Sequence, residues 1–320
     1  MLTDKIHLPD DLEPTPEDIM SSSLSVIFPD DIQNQHGDSH TSPTYLSPLY
    51  GPLTLSLADP KTETSRTLFS HFLWNASVLL AEYLEEGPFP LFETRDCSVL
   101  ELGAGTGLSG MIAALRGARR TVITDYPAEE VVANVEVNVK TNLRERGRGG
   151  DVEVWGHEWG VLGEVEDNGV SKRYKGGFER VLVADCLWMP WQHSNLRKSI
   201  AWFLTPSPKS NSSTSPPKRD ETSSIPPHHH PPSPTHPYTP SDGGRAYVIA
   251  GFHTGRAKMA PFFDAEAMRG DGLVVERIWE RNAEGTEREW RVDRGEEDKD
   301  VTGRKRWLVV GVVRRVGEGE

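Results

Sequence analysis

The sequence predicts an α/β fold: a mostly parallel sheet with helices on both faces and one antiparallel edge strand. Three observations lead there. Short apolar runs alternate with amphipathic helical stretches, which calls for a parallel sheet covered on both sides. A glycine-rich turn, "GAGTG" at Gly103 to Gly107, joins the first such run to the helix after it. The last two apolar runs, "LVVERIWE" and "RKRWLVVGVVRR", have no helix between them, as expected of an antiparallel pair.

Residues 1–66 form an arm rich in Pro, Asp and Ser with no sustained period, and are expected to be partly disordered. From Thr67 the pattern turns helical: Phe69, Phe72, Leu73, Ala76, Leu79, Leu80 and Tyr83 share one face, and Gly87-Pro88 stops the helix. "CSVLEL" is the first strand and "GLSGMIAALRGA" a helix closed by Gly117. "RTVITDY" is the second strand, followed by a helix that begins at Pro127. "DVEVWGHEWG" supplies a third strand, "FERVLVADCLWM" a fourth and "QHSNLRKSIAWFL" a helix. Residues 205–244 are dominated by Pro, Ser and Thr, too little apolar surface to offset chain ordering, and read as a disordered insertion. The run His228-His229-His230 inside it reads as compositional bias rather than a metal site. "RAYVIAGFHTG" is a fifth strand and "RAKMAPFFDAEAMRGDG" a helix. Residues 67–320 therefore make a single domain, interrupted by the insertion rather than divided by it.

The charge balance narrows the partners. Asp and Glu number 48 against 35 Lys and Arg, a formal charge of -13, so the field of the whole molecule repels a phosphate backbone and nucleic acid is not expected. The sequence has no long apolar stretch and no basic-then-apolar N-terminus, so the protein is expected to be cytoplasmic, off the membrane, with the nucleus a second location. Cys97 and Cys186 each adjoin an apolar run and read as reduced core thiols, with no metal site.

The glycine turn asks for a particular ligand. A dinucleotide site wants glycine at the sixth position of its fingerprint, where this chain has Leu108, and no Gly-Lys-Ser or Gly-Lys-Thr follows for a nucleoside triphosphate. Glu101, just before the turn, would repel phosphate and attract a cationic headgroup. Asp125 ends the second strand, where a carboxylate can accept both hydroxyls of a ribose. A ribose and a positive charge without phosphates describe S-adenosyl-L-methionine.

The stretches "HFLWNAS", "VLELGAGTGLSGMIAALRGA", "VITDYP", "NVEVNV", "HEWG" and "VADCLWMPWQH" occur in an order that resembles the family-16 protein methyltransferases. These are seven-strand, Rossmann-like enzymes that use S-adenosylmethionine to modify lysines on translation factors, chaperones and similar proteins. With "GFHTGR" and "RKRWLVV", the resemblance covers roughly Leu68 to Arg314 apart from the insertion. Within the family, "LWNA" and "ADCLWMPWQH" are most similar to a fungal group labelled nicotinamide N-methyltransferase-like. That group stands close to the yeast enzyme acting on the N-terminus and adjacent lysine of elongation factor 1-alpha.

The resemblance implies roles residue by residue. Glu101, Gly103 and Gly105, with Ala104 between them, would shape the methionine end of the cofactor pocket, and Asp125 would hold the ribose. Trp74 would close over the cofactor, Trp159 would lie near the adenine, and Ala184 and Asp185 would sit at the mouth of strand four. The family has Asp-x-x-Tyr there, whereas this chain has Asp185-Cys186-Leu187-Trp188, a ring without the hydroxyl. Asp185 is the candidate for orienting the amine while it loses a proton, and Trp188 and Trp191 offer ring faces to a cationic head. The substrate is expected to be a protein lysine or N-terminal amine, with the enzyme a monomer; a small nicotinamide-like amine, and an inactive binding protein of the same fold, are the rivals. Without the resemblance, Trp74 reads as core and Trp159, Trp188 and Trp191 as packing aromatics. Asp125 reads equally as a helix cap, and His193 and His253 as structural histidines.

Overall fold

The computed structural model describes residues 1–8, 34–37, 41–58, 72–87, 91–147, 150–163, 169–206 and 243–317. The chain first builds two small sheets. Strands β1 (Ile6–His7), β3 (Thr44–Ser47) and β4 (Gly51–Thr54) pair antiparallel, and β2 (Gln35–His36) pairs with β5 (Leu73–Trp74). Helix α1 (Asn75–Glu86) follows directly.

The main sheet then assembles from β6 (Ser98–Leu102), β7 (Arg120–Asp125), β8 (Val152–Gly156), β9 (Arg180–Ala184), β10 (Arg245–Gly251), β11 (Leu273–Asn282), β12 (Glu287–Glu289) and β13 (Trp307–Arg315). Its order is β12-β11-β13-β10-β9-β6-β7-β8. The five strands from β10 to β8 are parallel neighbours. Strand β13 runs antiparallel between β10 and β11. The anticipated antiparallel element thus lies inside the sheet, and the short β12, pairing antiparallel with β11, adds an eighth strand beyond the expected seven.

Alternation along the strands makes the core two-sided, because successive side chains of a strand point to opposite faces. Val99, Ile123, Leu182, Tyr247 and Ile249 join one apolar cluster with α1 and with α2 (Leu108–Leu115). Their neighbours Leu100, Leu102, Val122, Val181, Val183 and Val248 join the other, with Leu196, Ile200 and Phe203. Helix α3 (Glu129–Val139) adds Val135 and Val139 to the first cluster. A single turn, α4 (Val170–Arg173), precedes β9, and α5 (His193–Phe203) follows it on the second face.

Several boundaries differ from the sequence reading. The helix expected from Thr67 begins at Asn75, because Leu73 and Trp74 take extended conformations and pair with His36 and Gln35. Phe69 lies outside the described residues. Pro127 precedes α3, whose N-cap is Ala128. The stretch 256–270 is not one helix: α6 (Arg256–Met259) passes into a 3-10 turn at Ala260–Phe263 that contains Pro261. A fresh helix, α7 (Ala265–Gly270), then starts where Asp264 accepts the Ala267 N–H at 2.9 Å. A proline without an N–H and a side-chain cap account for that break. The charged link before β13 contains two short helices, α8 (Glu296–Lys299) and α9 (Val301–Lys305).

The described parts of the N-terminal arm are packed. Leu2, Tyr45, Leu53 and Leu55 are buried, and Tyr45 Oη and Ser47 Oγ both donate to Glu85 of α1. Three asparagines four residues apart on α3 and its continuation hold the segment after β4. Asn134 and Asn138 Nδ2 both donate to Ser56 O at 2.9 Å, Asn138 Oδ1 accepts Ser56 N–H, and Asn142 Nδ2 donates to Thr54 O. Between Thr205 and Gly244 the ends of the expected insertion meet, Gly244 N–H donating to Thr205 O at 3.3 Å. Residues 207–242, including His228 to His230, lie outside the described set. Among the described residues no helix is long and apolar enough to cross a membrane.

Candidate functional site

The strand order reverses at β6, whose neighbours are β7 on one side and β9 on the other. Crevices at the carboxyl ends of such strands are where open α/β sheets bind ligands. A cleft opens there, lined by residues from the ends of β5, β6, β7, β8 and β9. Of the sequence-predicted residues it collects Trp74, Gly103, Ala104, Gly105, Asp125, Trp159, Ala184, Asp185 and Trp188.

The glycine turn forms the floor. Gly103, Gly105 and Gly107 all take positive φ, +67°, +56° and +76°, a region that costs any residue with a Cβ. At Gly103 space forbids one as well: a Cβ would stand 2.6 Å from Cys186 Sγ and 2.8 Å from Trp159 Cζ2. The turn is held from the side by Asp125, whose Oδ2 accepts the Gly105 N–H at 2.7 Å while Oδ1 accepts the Tyr126 N–H at 2.7 Å. Asp125 does not cap α3, which settles that alternative. Burial raises its carboxyl above the usual range, and the two N–H donors oppose that rise. Each oxygen spends one acceptor position on the backbone, leaving others for a ligand in the cleft.

Glu101 is placed differently from its expectation. Its carboxyl, 1% exposed, does not line the cleft; it turns beneath the glycines, where Oε2 accepts the Gly110 N–H at 2.9 Å. The N-cap of α2 is Gly107, with no side chain to satisfy the first helical N–H groups, and Glu101 supplies that acceptor from the strand. Burial pushes its pKa up to about 8, opposed by bonds from Gly110 and Ser109. It supports the cleft floor from below.

The opposite wall is aromatic. Trp74 stacks on His253 with ring centroids 4.8 Å apart and 17° between planes, and meets Phe72 edge-on. Trp188 meets Trp191 edge-on at 6.5 Å. Trp191 is 71% exposed, so the packing reading of that ring is corrected: it stands in solvent beside the cleft. His193 is a structural histidine as read, buried with Nε2 donating to Leu187 O at 2.9 Å, and burial lowers its pKa.

Asp185 takes φ +58°, one of two non-glycine residues with positive φ among those described. Strain of this kind persists only where surroundings impose it. Its N–H donates to Ile249 O at 2.8 Å and its Oδ1 accepts the Gly251 N–H at 3.1 Å, fastening the end of β9 to β10. Burial raises its carboxyl, opposed by His253, whose Nε2 lies 3.9 Å from Oδ2. Cys186 also lines the cleft, its thiol pushed well above the usual range by burial, and neither cysteine is in a disulfide. Sequence reasoning missed Thr106, Tyr126, His157 and Met189 as lining residues. Their only sequence signal is their position just after a strand.

Residues 60–223 match the family described as lysine methyltransferase. Among curated proteins, the protein N-terminal and lysine N-methyltransferase of Neurospora crassa is 32% identical over 152 residues, 45% of this chain and 52% of that protein. The one from Schizosaccharomyces pombe is 33% identical over 147 residues, 46% of this chain and 55% of that protein. The one from Cryptococcus neoformans is 30% identical over 251 residues, 73% of this chain and 75% of that protein. The chain thus spans about half the length of the first two relatives and three quarters of the third.

Proposed function

Because this chain belongs to the lysine methyltransferase family, we propose that it is an S-adenosylmethionine-dependent N-methyltransferase acting on a protein lysine or N-terminal amine. The observation that carries this reading is the meeting of Asp125 with the left-handed glycine turn at the floor of an open cleft. A buried carboxylate with spare acceptor positions suits the two hydroxyls of a ribose. The bare backbone at Gly103 and Gly105 admits the close approach of a ligand. Trp74 and Trp159 offer faces to the cofactor, and Ala104 and Ala184 line the same cleft.

When bound, S-adenosylmethionine supplies an electrophilic methyl group on a sulfonium. What remains for the protein is to align an uncharged amine and to exclude water around it. In this reading Asp185 receives the amine, and Trp188, which lines the same cleft, holds a cationic head against a ring face. A hydroxyl is not required for that holding, so Trp188 in place of tyrosine is compatible with the role.

The exposed Trp191 beside the cleft favours a protein substrate over a small metabolite, which would call for an enclosed pocket. A translation factor is the first candidate, elongation factor 1-alpha above all, and an acidic surface of charge -13 suits a basic partner. The enzyme is read as a cytoplasmic monomer.

Calorimetric titration with S-adenosylmethionine, its demethylated product and NAD tests the cofactor. Binding of the first two alone, lost in Gly105→Arg, is the expected result. A labelled-methyl screen of cell extract then separates protein from metabolite acceptors. Absence of binding by either adenosyl ligand would overturn the enzyme reading in favour of a binding protein.

A further inference from the structure

We propose that Asp185 and His253 form a two-residue proton exit, in which His253 takes the proton that the substrate amine gives up to Asp185. This rests on the methyltransferase reading. His253 is a positioning and relay residue that acts through Asp185, since it does not itself line the cleft.

The geometry comes from two adjacent strands. Oδ1 of Asp185 is committed to the Gly251 N–H, so Oδ2 is the free oxygen, and it faces His253 Nε2 at 3.9 Å. That separation is closed by one bridging water or a small side-chain rotation, and such bonds commonly tighten when substrate arrives. The imidazole is kept in plane by its stack on Trp74, a wall of the same cleft.

His253 differs from the buried histidines around it in what its nitrogens do. His36 Nε2 lies 2.7 Å from Asn75 Oδ1, His157 Nε2 lies 3.1 Å from Ser199 Oγ, and His193 Nε2 donates to Leu187 O. His253 Nδ1 is buried with no hydrogen-bond partner among the described residues, and so is Thr254 Oγ1 on the same turn. No hydrogen bond among the described residues claims Nε2, which is left to face Asp185 Oδ2.

The turn is anchored beyond the histidine. Phe252–Thr254 leads through Gly255, at φ +96°, to Arg256. The Arg256 guanidinium is 3% exposed; it donates to Glu280 Oε1 at 2.6 Å, to Asp298 Oδ1 at 2.8 Å and to Arg291 O at 2.7 Å, and it lies over Phe252 at 4.1 Å. Glu280 also accepts from Arg288 and Arg294. Other titratable groups near the pair are Cys186, two residues past the end of β9, Glu101 and Asp125 under and beside the glycine turn, and His36, which bonds Asn75 next to Trp74. Helix α9, packed against the turn, brings Arg304 and Lys305, and Arg304 donates to Asp298 O.

The transfer balances in two steps. An N–H bond of the substrate ammonium breaks as an O–H bond forms at Asp185 Oδ2, leaving the neutral amine. That O–H bond then breaks as an N–H bond forms at His253 Nε2, restoring the carboxylate; the Nε2–H bond of the imidazolium breaks in turn as a solvent water takes the proton, regenerating the neutral ring.

The test measures methyl transfer to recombinant, unmethylated elongation factor 1-alpha from pH 6 to pH 10, at saturating cofactor, for wild type, His253→Gln and His253→Ala. His253→Gln should bind S-adenosylmethionine as wild type does, yet lose on the order of 10²-fold in kcat near neutrality. That deficit should shrink as pH rises toward the amine's own pKa, and added imidazole should restore His253→Ala. A loss equal at every pH, or no loss, would overturn the relay and leave the methyltransferase reading standing. If the glutamine variant fails to fold, His253→Asn is measured in its place over the same pH range, with the same outcomes deciding. Cofactor binding by wild type without transfer to any protein amine would instead defeat the protein-substrate reading and the relay with it.

Discussion

Asp125 Oδ2 accepts the N–H of Gly105 at 2.7 Å, so the end of the second parallel strand is tied to the turn that follows the first. One carboxyl group thus both shapes the cleft floor and presents acceptors to what binds there. Asp125→Ala is expected to weaken S-adenosylmethionine by at least about tenfold. The loss of a charged hydrogen-bond acceptor is worth roughly 1.5–3 kcal/mol. Calorimetric titration of the purified variant checks this; unchanged affinity would mean that the ribose is held elsewhere.

Asn138 connects the N-terminal arm to the same floor. Its amide exchanges hydrogen bonds with Ser56 and also donates to Thr106 O at 3.0 Å, inside the glycine turn. Asn138→Ala should cost about 2 kcal/mol in a urea titration, because buried partners are left unpaired, and should weaken cofactor binding as well. Asn134→Ala is the control: it touches Ser56 O alone, which Asn138 still satisfies, and it should leave cofactor affinity intact.

Glu101 links stability to pH. Its folded pKa of about 8 lies above the roughly 4.3 of an unfolded glutamate. A raised value means that the folded chain holds the proton more tightly. The contribution to stability is therefore full below about pH 4.3 and is lost as pH climbs through about 8. Glu101→Gln keeps an acceptor for Gly110 N–H and cannot ionise. Denaturation midpoints compared at about pH 5 and about pH 9 should fall less in the variant than in wild type. Equal falls would assign the dependence to other groups.

How much of this was legible depended on how local the signal was. The parallel strands could be read because each is a run of five or more residues with Gly, Pro or Asp at its ends, as in Ser98–Leu102 and Arg180–Ala184. The pairing of Gln35–His36 with Leu73–Trp74 could not, since a two-residue strand has no period and its partner is more than thirty residues away. Leu73 fitted a helical face equally well, and the tertiary pairing decided otherwise. Asp125 and Asp185 could be picked out because one ends a strand and the other directly follows one; Glu101 stood out as an acidic residue in an apolar strand, but it points to the helix, a direction no spacing encodes. The neighbours of His253, Trp74 and Asp185, could not be read, since the fold alone brings them to it.

Thr205 and Gly244, on either side of residues 207–242, are hydrogen-bonded to each other. Strands β9 and β10 therefore stay in register whatever length of polypeptide lies between the two ends. Doubling a loop costs only about 0.6 kcal/mol in closure entropy. For an engineer this junction is a port: a reporter domain could be grafted there, or the backbone opened to make new termini, with the cleft at the opposite ends of the strands left as it is.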